Sequence, residues 1–177
     1  AVPTDSIRLS RSEGVRPLRP GATRAGGVWV DGGYGATPWE WVSTQVATYA
    51  RSGGTGGNTL MDTGMPVIIL TTRGNKTGLV RKTPLMRVEH EGAYAIVASI
   101  GGAPRHPVWY WNLKAAPDSV AVQDGPDPWA ADIRELEVGS AERTEWWDRC
   151  VAAYPPYAAD RTKTEPLHPG LLPTPKG

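Results

Sequence analysis

The stretch MPVIILTTRGNKTGLVRKTPLMRVEH, residues 65–90, contains two predicted β-strands and the loop that joins them. The run MPVIILTT (65–72) is short, apolar and rich in β-branched residues, which is typical of a buried strand. The segment 79–90 alternates well enough to predict a second strand. Pro84 inside it indicates an edge strand or a bulge, because proline has no N–H to donate to a neighbouring strand. The stretch therefore predicts a β-hairpin.

The loop of this hairpin carries more glycine and more positive charge than a turn needs. Residues 74–78 can expose several backbone N–H groups, and a concave run of such groups can bind an anion. Lys76 and Arg81 add charge and Thr77 adds a hydroxyl donor, so the loop suits a phosphate or a carboxylate. It is not a Walker A loop, because the spacing differs and a strand rather than a helix follows. A solvated hairpin tip with ordinary surface cations is the alternative.

The residues on either side of the hairpin predict three helices and three further strands. Thr37, Pro38 and Glu40 form a predicted capping box at the start of the first helix, and Ser140 is the predicted cap of the last. The predicted helices are 37–51, a segment from near Pro107 to Pro117, and 141–154, and the further strands are 93–100, 119–123 and 129–138. Strands joined by turns outnumber crossover helices, so a mainly antiparallel sheet that can close as a small barrel is expected.

The composition restricts the class of protein. The chain has 177 residues, of which 40% are apolar, and a net charge of +1, so it predicts one domain and argues against wholesale nucleic-acid binding. Cys150 is the single cysteine, and its place in a predicted helix indicates a buried structural thiol. His and Cys do not cluster at metal-ligand spacing, and neither a serine nucleophile elbow nor a Rossmann glycine fingerprint is present. These absences favour a bound organic cofactor, or binding alone.

A second candidate site is ASIGGAPRHPVW, residues 98–109. Ser99 ends a predicted strand, and Gly101 and Gly102 would let a ligand approach the backbone closely. The helix that starts near Pro107 would direct its positive dipole and its N–H groups to the same region. The alternative is a strand-to-helix turn without a ligand.

The third candidate site is YPPY, residues 154–157, just after the last predicted helix. The hydroxyls of Tyr154 and Tyr157, on a rigid Pro-Pro turn, could face a cleft as proton donors, or their rings could stack on a ligand. The alternative is a simple helix stop.

These three stretches occur together in one known family. VIILTTRGNKTGLVRKTPL (67–85), YAIVASIGGAPRHPVWYWNLKAAPDSVAVQ (94–123) and VAAYPPY (151–157) resemble the deazaflavin-dependent nitroreductase family of actinobacteria. That family includes mycobacterial quinone reductases and enzymes that reduce coumarin lactones such as aflatoxins. The resemblance covers about residues 38–162. The combination of G-x-K-T-G-x-x-R with S-x-G-G and P-x-W-Y-x-N-L is far more specific than any one of these motifs.

The resemblance implies an α+β, mainly β fold: a split β-barrel, like that of flavin-mononucleotide-binding reductases, with flanking helices. It implies reduced coenzyme F-420, an 8-hydroxy-5-deazaflavin with a phosphate and an acidic polyglutamate tail, as hydride donor to a quinone, a coumarin or furanocoumarin lactone, or a nitro compound. Tyr154 and Tyr157 are the implied catalytic residues on the substrate side, and no metal is implied. The implied cofactor-binding residues are Gly74, Asn75, Lys76, Thr77, Gly78, Arg81, Lys82, Ser99, Ile100, Gly101, Gly102, Val108 and Trp109.

Within this interpretation Lys76, Thr77, Gly78 and Arg81 hold the phosphate and tail carboxylates, while Val108 and Trp109 flank the ring.

The chain divides into a flexible N-terminal arm (1–36), a cofactor-binding domain (37–163) and an irregular tail (164–177). The predicted partner is a small-molecule acceptor and not a nucleic acid; a homodimer and peripheral membrane association of a cytoplasmic protein stay open. A flavin-mononucleotide-dependent oxidoreductase and a non-catalytic deazaflavin carrier are the alternative functions.

Overall fold

The computed structural model describes residues 22–25, 28–31, 33–35, 37, 39–98, 106–158 and 170–175. These residues form nine strands and three helices. In chain order they are β1 (Ala22–Ala25), β2 (Val28–Asp31), α1 (Glu40–Ser52), β3 (Val67–Arg73), β4 (Val80–Met86), β5 (Val88–His90), β6 (Ala93–Val97), α2 (Val108–Ala115), β7 (Ala121–Gln123), β8 (Pro128–Glu135), α3 (Ala141–Ala153) and β9 (Gly170–Pro175). None of the helices in these ranges is long and apolar enough to cross a membrane.

Seven of the strands form one antiparallel sheet in the order β4-β3-β7-β8-β9-β6-β5. The two strands at the ends of this order, β4 and β5, are separated in the chain by Arg87 alone. The sheet must therefore curl until its two ends meet, which makes it a split β-barrel and confirms the predicted fold class. Pro84 lies on the edge strand β4, opposite Ile69, as its missing N–H predicts.

The core is built mainly on β3, which is buried on both faces. Ile68 and Leu70 face the largest apolar cluster, which also contains the α2 residues Trp109 and Leu113. Val67 and Ile69 point the other way and pack against the α1 residues Val42, Val46 and Tyr49. The side chains of a strand alternate between faces, so a continuous apolar run such as residues 67–70 needs cover on both sides.

A third cluster joins α3 to the sheet. Trp146, Trp147 and Cys150 of α3 pack against Val88 of β5 and Val97 of β6. The Ser140 hydroxyl accepts a hydrogen bond from the Arg143 N–H at 3.1 Å, which confirms the predicted cap of this helix. Cys150 is buried, as predicted, and burial raises the pKa of its thiol to about 12, which favours the neutral thiol.

The start of α1 differs from the predicted capping box. The helix begins at Glu40, and its N-cap, Trp39, makes no side-chain capping bond. The Thr37 hydroxyl instead accepts a hydrogen bond from the Trp39 N–H at 3.3 Å, so it is used in a turn before the helix. Pro38 lies outside the described residues.

Three strands lie in the two segments for which the sequence predicts a flexible arm and an irregular tail. The 1–36 arm contains the antiparallel hairpin of β1 and β2, and the 164–177 tail contains β9, which lies between β8 and β6 in the barrel. The tail prediction is therefore wrong for residues 170–175, and the arm prediction is wrong for residues 22–25 and 28–31. The boundaries of the three segments stay predictions.

Candidate functional site

The β3–β4 loop is a tight turn closed by backbone hydrogen bonds. The Gly74 N–H donates to the Leu79 carbonyl at 2.7 Å, and the Gly78 N–H donates to the Gly74 carbonyl at 2.8 Å. Gly78 has φ +70°, a left-handed conformation that glycine adopts without the strain a Cβ would bring. The turn itself therefore accounts for Gly78.

Most of the amide groups predicted to form an anion nest have partners inside the protein. Besides Gly74 and Gly78, the Asn75 N–H donates to the Asn112 Oδ1 at 3.0 Å. The prediction that residues 74–78 expose several N–H groups is therefore wrong for these three. An anion at this loop would have to be bound chiefly by the side chains of Lys76, Thr77 and Arg81, of which Lys76 and Thr77 are exposed.

Arg81 and Lys82 are not brought together. In the β3–β4 register Arg81 lies opposite Thr72 and Lys82 lies opposite Thr71. Because successive side chains of a strand point to opposite faces, Arg81 shares a face with Thr72, whereas Lys82 shares the other face with Val80. Lys82 is half-buried there, and burial lowers the pKa of its ammonium.

Two glycines leave no room for a Cβ beside the side chains of Arg81 and Thr77. A Cβ at position 35 would lie 2.9 Å from both the guanidinium carbon and Nη1 of Arg81, and a Cβ at position 74 would lie 2.9 Å from the Thr77 Oγ1. Gly35 thus leaves room for the Arg81 guanidinium group, and Gly74 leaves room for the Thr77 hydroxyl. No Asp or Glu occurs between Asp62 and Glu89 in the sequence, so the loop and its flanking strands carry only positive side-chain charge.

Helix α2 supports the loop through a buried amide that the sequence prediction did not include among the site residues. Asn112 is 2% exposed; its Oδ1 accepts from the Asn75 N–H, and its Nδ2 donates to the Thr72 Oγ1 at 3.4 Å. A polar residue on a helix face shared with Trp109 and Leu113 was the signal in the sequence that could have identified it. Trp109 itself is 7% exposed and lies in the core, whereas Val108 is 73% exposed.

The second candidate stretch lies at the end of β6. Ser99, Ile100, Gly101 and Gly102 are outside the described residues, so their predicted contacts with a cofactor stay predictions. The described part of β6 divides two clusters: Ile96 faces the α2 side and Val97 faces the α3 side.

Tyr154 and Tyr157 lie together at the end of α3. Tyr154 is the C-cap residue of the helix, and its ring meets that of Tyr157 edge to face with centroids 4.8 Å apart. Tyr157 also packs against the α3 cluster, with its ring centroid 6.1 Å from that of Trp147. The structure thus brings the two tyrosines together on the α3 side of β6, whereas the cationic loop lies on the α2 side.

A scan against protein-family models matches residues 41–169 to the family described as F420H(2)-dependent quinone reductase. An F420H(2)-dependent quinone reductase of Mycobacterium tuberculosis is 39% identical over 82 residues, which are 46% of this chain and 54% of the relative. The chain thus spans about half the length of this curated relative. A putative F420H(2)-dependent quinone reductase of the same organism is 30% identical over 112 residues, which cover 63% of this chain and 92% of the relative.

Two solved structures are similar in both sequence and fold. One, described as an F420-H2 dependent reductase, is 49% identical to this chain and has a TM-score of 0.54. The match covers 61% of this chain and 93% of the solved chain. The other, described as a domain-swapped dimer, is 44% identical to this chain and has a TM-score of 0.56. The match covers 77% of this chain and 99% of the solved chain.

Proposed function

Because the chain belongs to the F420H(2)-dependent quinone reductase family, whose model matches residues 41–169, we propose that it transfers a hydride from reduced coenzyme F-420 to a quinone. The observation that carries the proposal is the β3–β4 hairpin, which places the cations Lys76 and Arg81 and the hydroxyl of Thr77 at and beside one loop. Coenzyme F-420 has such an anionic part in its phosphate and polyglutamate tail.

The donor set fits this cofactor. Two cations and a hydroxyl suit phosphate and carboxylate oxygens, and charge-assisted hydrogen bonds to these groups are stronger than neutral ones. Lys76, Thr77 and Arg81 would bind the acidic end, with Gly74, Asn75 and Gly78 shaping the loop. Lys82, on the opposite face, would act only through its charge. The bound deazaflavin supplies the hydride, so few reactive side chains are required of the protein.

The remaining predicted residues would orient the ring and supply a proton. Val108 is exposed at the first turn of α2, where it can flank a ring, while Trp109 would support it from the core. Reduction of a quinone to a hydroquinone by a hydride also consumes one proton at an oxygen of the acceptor. We assign its delivery to the hydroxyl of Tyr154 or Tyr157, which would be reprotonated from water.

A quinone is the proposed acceptor because it is the substrate class in the name of the matching family. Coumarin or furanocoumarin lactones, aflatoxins among them, and nitro compounds are the further acceptor classes that the resemblance implies. All three accept a hydride on a flat, electron-poor system, so they would be placed by stacking and by one hydrogen bond. A turnover screen with reduced coenzyme F-420 against a benzoquinone, a coumarin and a nitroaromatic compound ranks them.

Turnover also separates the proposal from its alternatives. Oxidation of the reduced cofactor, followed by absorbance under anaerobic conditions, should occur only when protein and quinone are both present. A cofactor that binds but is not oxidised with any of the three acceptors would identify a carrier. Quenching of tryptophan fluorescence should be stronger with coenzyme F-420 than with flavin mononucleotide, and the reverse order would favour a flavin-mononucleotide-dependent enzyme.

A homodimer is the proposed assembly. It rests on the similar solved structure that is described as a domain-swapped dimer and that covers 77% of this chain. Light scattering coupled to size-exclusion chromatography should give twice the 19.0 kDa mass of the chain. A mass near 19 kDa at all concentrations would identify a monomer.

A further inference from the structure

We propose that Asn112 is a positioning residue for cofactor binding, which acts through the conformation of the 74–78 loop. This inference rests on the proposed function, since it assigns the loop to the acidic end of coenzyme F-420. Asn112 itself is buried in α2 and would not touch the cofactor. Its two hydrogen bonds, to Asn75 and to Thr72, connect the helix to both the loop and the strand that precedes it.

Burial makes these two bonds energetically important. Asn112 is 2% exposed, and the neighbouring residues of α2 that are buried with it, Trp109, Tyr110 and Leu113, belong to the apolar core. An amide in such surroundings is costly unless its oxygen and its nitrogen both have partners. The Oδ1 and Nδ2 of Asn112 each have one, so the side chain holds a defined orientation rather than filling space.

The positions of its partners connect Asn112 to the anion-binding side chains. The bond from the Asn75 N–H, at 3.0 Å, fixes the backbone immediately before Lys76. Thr72, the second partner, lies opposite Arg81 in the β3–β4 register. Asn112 therefore fixes the loop backbone next to Lys76 through its bond to Asn75, and its bond to Thr72 anchors the amide to the strand that pairs with Arg81. Without it, the two cations lose the fixed separation that a phosphate group needs.

The same helix carries the residue proposed to flank the ring. Val108 lies one turn before Asn112 in α2, at the exposed end of the helix. A rigid connection from α2 to the loop therefore sets the distance between the ring end and the acidic end of the binding site. We expect Asn112 to matter for a ligand that spans both ends and not for one that occupies the ring end alone.

The test compares two ligands and two variants. Asn112→Leu removes both hydrogen bonds at similar volume, and Thr72→Val is its matched control, because it deletes one buried hydrogen bond without releasing the loop. With complete coenzyme F-420, we expect the dissociation constant of Asn112→Leu to rise roughly tenfold, the scale of one lost hydrogen bond. With the 8-hydroxy-5-deazaflavin head, which lacks phosphate and tail, both variants should stay within about twofold of the unmodified protein. The rise in KM for the cofactor should exceed any change in kcat.

Hydrogen exchange of the Asn75 amide gives a readout that needs no cofactor. It should be slow in the unmodified protein and in Thr72→Val, and fast in Asn112→Leu. Equal weakening of both ligands by Asn112→Leu, or unchanged exchange at Asn75, would overturn the positioning role. If the unmodified protein bound the head and the complete cofactor equally well, the proposed anionic contact would fail, while the exchange measurement would still decide whether Asn112 orders the loop.

A second variant covers the case in which Asn112→Leu does not fold. Asn75→Pro removes the donated N–H from the exposed loop and leaves the buried amide of Asn112 in place. It should weaken complete coenzyme F-420 to a similar extent and spare the deazaflavin head. An unchanged dissociation constant for the complete cofactor would overturn the proposal.

Discussion

Arg81 and Lys82 are adjacent in the chain but lie on opposite faces of β4, which makes them a matched pair for testing the site. Each substitution with alanine removes one positive charge, so both have the same effect on the long-range field. Arg81→Ala should weaken binding of coenzyme F-420 by about 1.5–3 kcal/mol, the scale of a hydrogen bond to a charged group. Lys82→Ala should change it by less than about 0.5 kcal/mol. Equal losses, measured by fluorescence titration, would mean that the protein senses only net charge.

Lys82 should instead affect stability in a pH-dependent way. Burial lowers the pKa of its ammonium in the folded protein below the ordinary value of 10.5, so folding disfavours the charged form. Lys82→Met removes that penalty and should raise the melting temperature at pH 7. The advantage should shrink as the pH rises from the lowered pKa towards 10.5, because the unmodified Lys82 then becomes neutral. Melting curves across this range check the sign, and a constant difference would contradict it.

Asp124 stabilises the corner at which the barrel closes. Its Oδ2 accepts hydrogen bonds from the Arg87 Nε at 2.8 Å and from the Tyr94 hydroxyl at 2.6 Å. Burial and the bond to Asp124 raise the pKa of Tyr94, so its hydroxyl stays a donor. Asp124→Asn should lower the free energy of unfolding by about 1–2 kcal/mol, because both bonds lose the charge of the acceptor. Urea unfolding measures the loss, and the exposed Asp148→Asn serves as control; equal effects of the two would contradict the role of the corner.

At the scale of elements, α1 is joined to the β7–β8 turn by a close backbone contact. Gly54, just after the helix, has φ +83°, and a Cβ there would lie 2.8 Å from the Cα of Gly125. Gly64 has a similar φ of +71°, and a Cβ there would have nothing within 4 Å. An alanine at position 64 would therefore bring the same backbone strain as one at position 54, but no steric contact. Gly54→Ala should therefore destabilise the protein by about 1–3 kcal/mol more than Gly64→Ala, the scale of overpacking. Equal free energies of unfolding would mean that the helix end can move away from the turn.

The same elements show how far the sequence determines the fold and where local patterns fail. The β-branched run at 67–70 and the Ser140 cap are local signals, and both predicted their elements correctly. Strand β9 has two prolines among six residues and exists because its backbone pairs with β6 and β8, which are distant in the chain. The role of Asn112 was missed for a related reason: its partners, Asn75 and Thr72, are 37 and 40 residues away. Residue types predicted the cationic loop, but they grouped Arg81 with Lys82, which the alternation of side chains along β4 places on opposite faces.

At the scale of the whole molecule, β6 and its neighbours lie between the two halves of the candidate site. The cationic loop and α2 adjoin one apolar cluster, and Tyr154 and Tyr157 belong with α3 on the other side. β6 supplies side chains to both clusters and leads into residues 99–105. The geometry of the site therefore depends on the barrel keeping β6 in place.

β9 is the element that completes the barrel around β6. It pairs with β8 through residues 171–175 and with β6 through Gly170 and Leu171, so its removal would leave both neighbours with an unpaired edge. A chain that ends at residue 169 should lose at least about 3 kcal/mol of the roughly 5–15 kcal/mol that stabilise a typical domain. Near-ultraviolet circular dichroism of the buried tryptophans during urea unfolding measures this loss, and removal of residues 176–177 alone is the control. An unchanged midpoint after removal of β9 would show that β8 and β6 hold the barrel without it, and cofactor binding should then also survive the truncation.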